Sequence, residues 1–124
     1  MIAVIFEVQI ADGRKADYLE IAAEMRPLVE QVDGFISVER FQSLTNPDKL
    51  LSLSLFRDED AVQDWRNLIA HRSAQSKGRG GVFKDYHLRV AHVIRDYGMF
   101  DRDQAPSDSL AAHPDQSVAA KRVP

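Results

Sequence analysis

The first ten residues show the alternation of a β-strand with one strongly apolar face. Every second position of residues 2–8 is Ile, Val or Phe. Residues 18–32 instead place apolar side chains three and four positions apart, which indicates an amphipathic helix. Pro27 lies inside this segment and predicts a kink or a restart near Arg26, because proline removes a backbone hydrogen bond and crowds the preceding turn. Asp33-Gly34 is expected to end the helix.

Two further strands and a second helix are predicted in the middle of the chain. Residues 35–42 and 50–56 have strand-like patterns, and the turn segment 43–48 between them predicts an antiparallel hairpin. Asp58 is a candidate helix cap, followed by an acidic first turn that complements the positive end of the helix dipole. After a glycine-rich connector, residues 86–97 are predicted to form a last, long strand.

The element order predicts the fold class. Strand, helix, strand, strand, helix, strand is the ferredoxin-like βαββαβ arrangement of α+β proteins. We expect a four-stranded antiparallel sheet with both helices on one face. Residues 1–100 would form this domain, and residues 101–124 show no period, so they are expected to be a flexible tail or an arm on a partner subunit.

The sheet face away from the helices is predicted to be mixed in polarity. If the three leucines of residues 51–55 face the helices, Ser52, Ser54 and Phe56 lie on the opposite face. Glu39 alternates with its neighbours along its own strand, and the pattern does not decide which face of the sheet it occupies. Apolar side chains interspersed with hydroxyls and carboxylates suit a ligand cavity that a second copy of the sheet would close. A dimer interface without a ligand is the alternative.

Composition and charge narrow the class of protein. The 124 residues are 44% hydrophobic and 28% charged, as in an ordinary globular domain. The absence of cysteine excludes disulfides and thiolate metal sites. The net charge of −3 gives no reason to expect nucleic acid, and no apolar run is long enough to cross a membrane. We expect a cytoplasmic protein whose partners are small molecules or other proteins.

Histidine supplies the most reactive candidate side chain. No two of the four histidines have the spacing of a helical metal motif, so no metal site is predicted. His71 follows Trp65 by six residues and lies outside the apolar stripe of the second helix. At a helix edge above a cavity, His71 could act as a base, donate a hydrogen bond to a ligand or bind haem iron. A helix-end histidine stabilised by the helix dipole is the alternative for His71, and Trp65 is either a core anchor or a pocket wall.

Several segments in the second half of the chain match a known pattern. They are Trp65-Arg66, residues 71–75 (His-Arg-Ser-Ala-Gln), Gly78-Arg79, Phe83, Tyr86, residues 88–91 (Leu-Arg-Val-Ala) and residues 95–98 (Arg-Asp-Tyr-Gly). Together they resemble the antibiotic biosynthesis monooxygenase domain family, and within it the branch of small haem-degrading-monooxygenase-like proteins. The resemblance covers roughly residues 1–98, and the tail lies outside it.

This resemblance implies a fold and two kinds of chemistry. The fold is a dimeric α+β barrel built from ferredoxin-like subunits, each with a pocket between its sheet and its helices. Members of the family either oxygenate aromatic polyketides without a metal or organic cofactor, or bind haem and open its ring. Haem-degrading members carry an Asn on the first strand, which this sequence lacks.

We therefore predict a homodimeric monooxygenase that acts on an aromatic small molecule without a cofactor. His71 is the predicted catalytic base. The predicted substrate-binding residues are Trp65, Phe83, Tyr86, Glu39, Ser52 and Ser54. One alternative is a haem-binding or haem-degrading protein with His71 as the axial ligand, and another is a non-catalytic dimeric ligand-binding protein.

Overall fold

The chain divides into two compact units, Met1–His92 and a second that begins at Val93. The computed structural model describes the backbone of residues 1–75 and 80–113, and the side chains of residues 1–69 and 80–113. The first unit contains the strands β1 (Ile2–Ile10), β2 (Phe35–Gln42), β3 (Lys49–Phe56) and β4 (Phe83–His92), and the helices α1 (Lys15–Val29) and α2 (Glu59–Gln75).

The four strands form one antiparallel sheet in the order β2-β3-β1-β4. The first strand is therefore central, and β2 and β4 are the edges. Both helices contribute to core clusters on the same sheet face, with Val29 of α1 and Val62 of α2 packed against Ile2 and Phe56. This is the ferredoxin-like α+β arrangement that the element order predicts, so the fold class is confirmed.

The register of β3 corrects the predicted assignment of its two faces. Ser52 pairs with Phe6 and Phe56 pairs with Ile2, so the even-numbered residues of both strands face the helices. Phe56 is fully buried there, and Ser52 is buried as well. The leucines at positions 51, 53 and 55 lie on the open face instead. The prediction was wrong because the Leu and Ser of β3 alternate, and alternation alone does not say which set faces the core.

The two helices begin and end for different local reasons. The Asp58 carboxylate accepts a hydrogen bond from the Ala61 backbone N–H at 2.9 Å, which confirms the predicted cap of α2. Helix α1 continues through Pro27 to Val29, so the predicted restart near Arg26 is wrong. Pro27 is exposed and lies in the last turn, where the helix has few further hydrogen bonds to lose.

β4 is an edge strand with every residue exposed. It begins three residues before the predicted start and ends at His92 rather than at residue 97. Its end follows from its pairing, because His92 lies opposite Ile2 at the start of β1 and no further partner residues remain. A bulge near Gln9 shifts the register at the other end of the β1–β4 ladder.

The second unit contains a short helix, α3 (Ser107–Ala112), which the sequence pattern did not predict. Arg102 is buried at the centre of this unit. Its guanidinium donates hydrogen bonds to the backbone carbonyl oxygens of Gly98 and Ser109, and it lies 5.7 Å from the centre of the Tyr97 ring. Within the described ranges, no helix is long and apolar enough to span a membrane.

Candidate functional site

Four aromatic side chains meet on the helix-facing side of the sheet. This aromatic cluster consists of Phe6, Tyr18, Phe83 and Tyr86. The ring centre of Phe6 lies 5.7 Å from that of Phe83 and 5.6 Å from that of Tyr86, and Tyr18 reaches Phe83 at 5.9 Å. Tilted and edge-to-face contacts at these distances are the favourable geometries for aromatic pairs. The cluster therefore joins β1, α1 and β4.

The bulge in the β1–β4 ladder explains how two cluster members share a face. Phe83 and Tyr86 are three residues apart, so a regular strand would place them on opposite faces. Gln9 pairs with Asp85 and Ile10 pairs with Phe83, which leaves Lys84 as the extra residue. The bulge thus turns Phe83 to the helix-facing side beside Tyr86.

Part of the aromatic cluster is open to solvent. Tyr18 is buried, but Phe83 and Tyr86 are 40% and 59% exposed. Leu88 and Val90 continue the same side of β4 and are each about half exposed. An apolar surface of this kind, with aromatic rings at one end, is typical of a site that binds an apolar small molecule.

The two predicted serines face the same side of the sheet as the aromatic cluster. Ser52 lies opposite Phe6, and Ser54 lies opposite Val4. Phe6 in turn lies opposite Leu88 of β4, while Ser52 lies opposite Arg40 of β2. One row of helix-facing residues therefore crosses the whole sheet, and it changes from polar at β2 to apolar at β4. We call Arg40, Ser52, Phe6 and Leu88 the central row.

Two other predicted wall residues lie apart from this surface. Glu39 pairs with Leu53 and therefore belongs to the open face. Trp65 is half-buried and packs against the core cluster that includes Ile2 and Phe56, which agrees with its reading as a core anchor. The helix-facing surface therefore brings together Phe83, Tyr86, Ser52 and Ser54, and leaves out Glu39.

The predicted base lies in α2 but outside the described side chains. His71 is in the last two turns of this helix, whose backbone is described to Gln75. Among the described side chains on the helix-facing side, His92 carries an imidazole, opposite Ile2. It is four residues from Leu88 along β4, or about 13 Å at ~3.3 Å per residue. His92 therefore lies at the other end of β4 from the aromatic cluster.

The open face of the sheet combines an apolar centre with a charged border. Ile5 pairs with Leu53 at its centre. Glu7 accepts a hydrogen bond from Arg89 Nη1 at 2.7 Å and lies 3.3 Å from Lys49 Nζ, so it links β1 to both neighbouring strands. The hydrogen bond from Arg89, and then the ammonium of Lys49, lower the pKa of the Glu7 carboxyl. Beside Glu7, a shallow depression of about 220 Å³ is lined in part by Phe41 and Leu51.

Three contributors to the helix-facing surface were not singled out from the sequence. Phe6 and Tyr18 look like ordinary core positions of a strand and a helix, and their partners are more than 60 residues away in the chain. Arg40 lies in a strand whose sequence does not show which of its alternating residues face the helices. The irregular spacing of Phe83 and Tyr86, which breaks strict alternation, was the one local signal that pointed to this region.

Comparison with protein families identifies the class of this chain. Residues 1–77 match the family model described as antibiotic biosynthesis monooxygenase. This match covers more than half of the chain and includes β1 to α2. The chain belongs to the antibiotic biosynthesis monooxygenase family.

Individual relatives agree with this assignment. A jasmonate monooxygenase from Pyricularia oryzae is 47% identical over 93 residues, which are 75% of this chain and 43% of that protein. The chain thus spans less than half the length of this relative. The uncharacterised protein YqjZ from Bacillus subtilis is 31% identical over 93 residues, or 75% of this chain and 79% of that protein.

Solved structures share the fold. The haem degrader MhuD from Mycobacterium tuberculosis, crystallised with two haems in its active site, superimposes with a TM-score of 0.64 at 17% identity. The alignment covers 79% of this chain and 100% of that chain. At this identity the similarity extends to the arrangement of strands and helices, and the chemistry of the site depends on the residues that each protein carries.

Proposed function

We propose that this protein is a small-molecule monooxygenase that binds an apolar, aromatic substrate on the helix-facing side of its sheet. The observation that carries the proposal is the half-exposed aromatic cluster, continued by Leu88 and Val90 along β4. Exposed rings held edge-to-face can stack against a planar substrate without rearrangement. The family, and the name of the Pyricularia oryzae relative, support oxygenation as the reaction.

The reaction can balance without an external reductant when the substrate is a phenol. A phenol and O₂ give a quinone and water: one oxygen atom enters the ring, the other leaves as water, and the substrate supplies all four electrons. Removal of the phenolic proton is the step that a base accelerates, because the phenolate gives electrons to O₂ more readily. His71 is the proposed base. The aromatic cluster would hold the ring and exclude water while the oxygen–carbon bond forms.

A homodimer is the assembly that we propose. Ile5 and the leucines at positions 51, 53 and 55 lie on the sheet face away from the helices of their own unit. Glu7, Arg89 and Lys49 form a charged border beside them. An apolar centre with a polar rim is the usual anatomy of a protein interface. If a second copy packed its open face against this one, the helix-facing site of each subunit would remain accessible.

Oxygen uptake with a hydroquinone tests the proposal directly. The purified protein with 1,4-naphthohydroquinone should consume oxygen faster than the buffer alone, and mass spectrometry in ¹⁸O₂ should find one labelled oxygen atom in the product. Unlabelled product would reject the monooxygenase. Thermal stabilisation by the same compound without oxygen uptake would support the non-catalytic binding protein instead.

A haem titration distinguishes the proposed monooxygenase from a haem-binding or haem-degrading protein. Haem bound through His71 should give a saturable Soret band that His71→Ala abolishes, and decay of the band with reductant in air would support haem degradation. Absence of a Soret band would leave the cofactor-free monooxygenase and the non-catalytic binding protein.

A further inference from the structure

Arg40 is a partly buried cation without a partner. Its Nε is shielded from solvent and makes no hydrogen bond, and no ion pair joins its guanidinium to any residue of the described ranges. Burying part of a charged group without compensation is costly. An unsatisfied group of this kind therefore calls for an explanation from function.

The other described arginines show how unusual this is. Five of them are bound by carboxylates or backbone carbonyls: Arg14, Arg26, Arg57, Arg89 and Arg102. Arg66 and Arg95 are exposed, so water solvates them. The Nε of Arg102 is likewise buried without a hydrogen bond, but both of its other nitrogens are bound. Arg40 alone in the described part of the chain combines partial burial with the absence of any partner.

The position of Arg40 connects it to the proposed site. It begins the central row, opposite the buried Ser52, and this row continues through Phe6 to Leu88. Neighbouring strands lie about 4.8 Å apart, so the row spans roughly 14 Å from Arg40 to Leu88. A partly buried guanidinium and a buried hydroxyl thus lie at one end of a row whose other end is apolar and half exposed.

We propose that Arg40 and Ser52 bind the carboxylate of the substrate, which is an amphipathic organic anion with an apolar, ring-containing body. A guanidinium presents two parallel N–H groups that match the two oxygens of a carboxylate, and a serine hydroxyl can donate a third hydrogen bond. The body of the molecule would extend across Phe6 towards Leu88 and Tyr86. This inference rests on the proposed function, because it assumes that the helix-facing surface is the substrate site.

Binding of matched acids and esters tests the inference. The probes are 2-naphthoate, jasmonate and decanoate, each compared with its methyl ester, and the readout is the ratio of the two Kd values. We expect at least one acid to bind the wild-type protein about ten-fold or more tightly than its ester. Arg40→Gln should weaken binding of that acid roughly ten- to a hundred-fold and leave the ester unchanged, as expected for a lost charge-assisted hydrogen bond.

Three further variants exclude an indirect effect. Arg40→Lys keeps the charge without the paired N–H groups and should give an intermediate ratio. Ser52→Ala should lower the ratio by a smaller factor, and Arg66→Gln, an exposed arginine without a partner, should leave it unchanged. General damage to the fold would weaken acid and ester together, so the ratio distinguishes it from loss of the anion site.

Equal binding of acid and ester by the wild-type protein would overturn the inference, as would an unchanged ratio in Arg40→Gln or failure of every acid to bind. Oxygen uptake distinguishes failure of the carboxylate site from failure of the proposed function. If neutral hydroquinones are oxygenated equally well by wild type and Arg40→Gln, the monooxygenase stands and the carboxylate site fails. If acids bind through Arg40 but 1,4-naphthohydroquinone gives no labelled product, the carboxylate site stands and the monooxygenase fails.

Discussion

Leu53 lies directly opposite Ile5 in the β1–β3 ladder, on the sheet face that the helices leave open. Both side chains are apolar and only partly shielded from solvent. Covering them with a second copy would remove this apolar surface from water, which is the main driving force for association. The open face is therefore the place to test the proposed dimer.

Replacing Leu53 with lysine should convert the dimer to a monomer. The charge would lie at the centre of the proposed interface, where leaving it unpaired is costly. Light scattering should give twice the chain mass for the wild-type protein and the single mass for Leu53→Lys. Leu44→Lys is the control, because Leu44 is fully exposed in the β2–β3 turn, and it should remain dimeric. A dimeric Leu53→Lys, or a monomeric wild type, would reject this interface.

Gly34 is predicted to tolerate no side chain. Its φ is +92°, and an added Cβ would lie 2.9 Å from the Ala61 Cβ at the start of α2. Gly34→Ala should lower the free energy of unfolding by roughly 2–5 kcal/mol, as backbone strain and overpacking add together. In Gly13→Ala only the backbone strain applies, because φ is +74° and no atom lies within 4 Å of an added Cβ. This substitution should lower the free energy of unfolding by about 1–2 kcal/mol. Urea denaturation measures both, and equal losses would contradict the role of the Ala61 contact.

Asp58 should make the stability of the protein fall in acid. The hydrogen bond from the Ala61 backbone, and then that from Arg57, lower its pKa below the ordinary value of 3.8. The stabilisation is therefore present above about pH 4 and is lost as the pH falls through the pKa of the folded state. Asp58→Asn keeps a capping oxygen without the charge, so its unfolding free energy should fall less between pH 5 and pH 2.

The matched control for this experiment is Asp12→Asn, at an exposed position before α1. Its acid dependence should follow that of the wild-type protein. If Asp58→Asn and Asp12→Asn lose stability in acid to the same extent, Asp58 does not contribute to the acid transition.

Tyr86 and His87 offer a paired test of the site, because they are adjacent, both exposed and on opposite faces of β4. Tyr86→Ala removes a ring of the aromatic cluster and should raise the KM of an aromatic substrate roughly three- to ten-fold, in line with the energy of one aromatic contact. His87→Ala should leave KM unchanged. Steady-state oxygen uptake measures both variants, and equal effects would place the substrate elsewhere.

The element order was predictable because each element carries its own period. Residues 2–8 alternate, residues 35–42 and 50–56 have strand-like composition, the helices repeat every three to four residues, and turn residues separate these elements. Those local signals determine the ferredoxin-like order. The cap at Asp58 was equally local, since a carboxylate before an acidic first turn needs only its own helix.

The two faces of β3 could not be predicted in the same way. The leucines at positions 51, 53 and 55 outnumber its two inward apolar residues, Leu50 and Phe56, yet pairing with β1 turns these three to the open face and buries Ser52. The aromatic cluster depends on the same long-range register, together with a bulge whose one local trace is the three-residue spacing of Phe83 and Tyr86. That Arg40 lacks a partner could not be predicted either, because the absence of an ion pair is a property of the packed structure.

The central position of β1 has a consequence for folding during synthesis. This strand leaves the ribosome before the other three strands, yet its β4 partner ends at His92. One of its edges therefore stays unpaired until almost all of the first unit has emerged. Pairing across such a sequence separation is slow, because a long loop must close before any contact forms. Nascent chains that stall before β4 would expose the apolar edge of β1, which makes them substrates for chaperones and prone to aggregation.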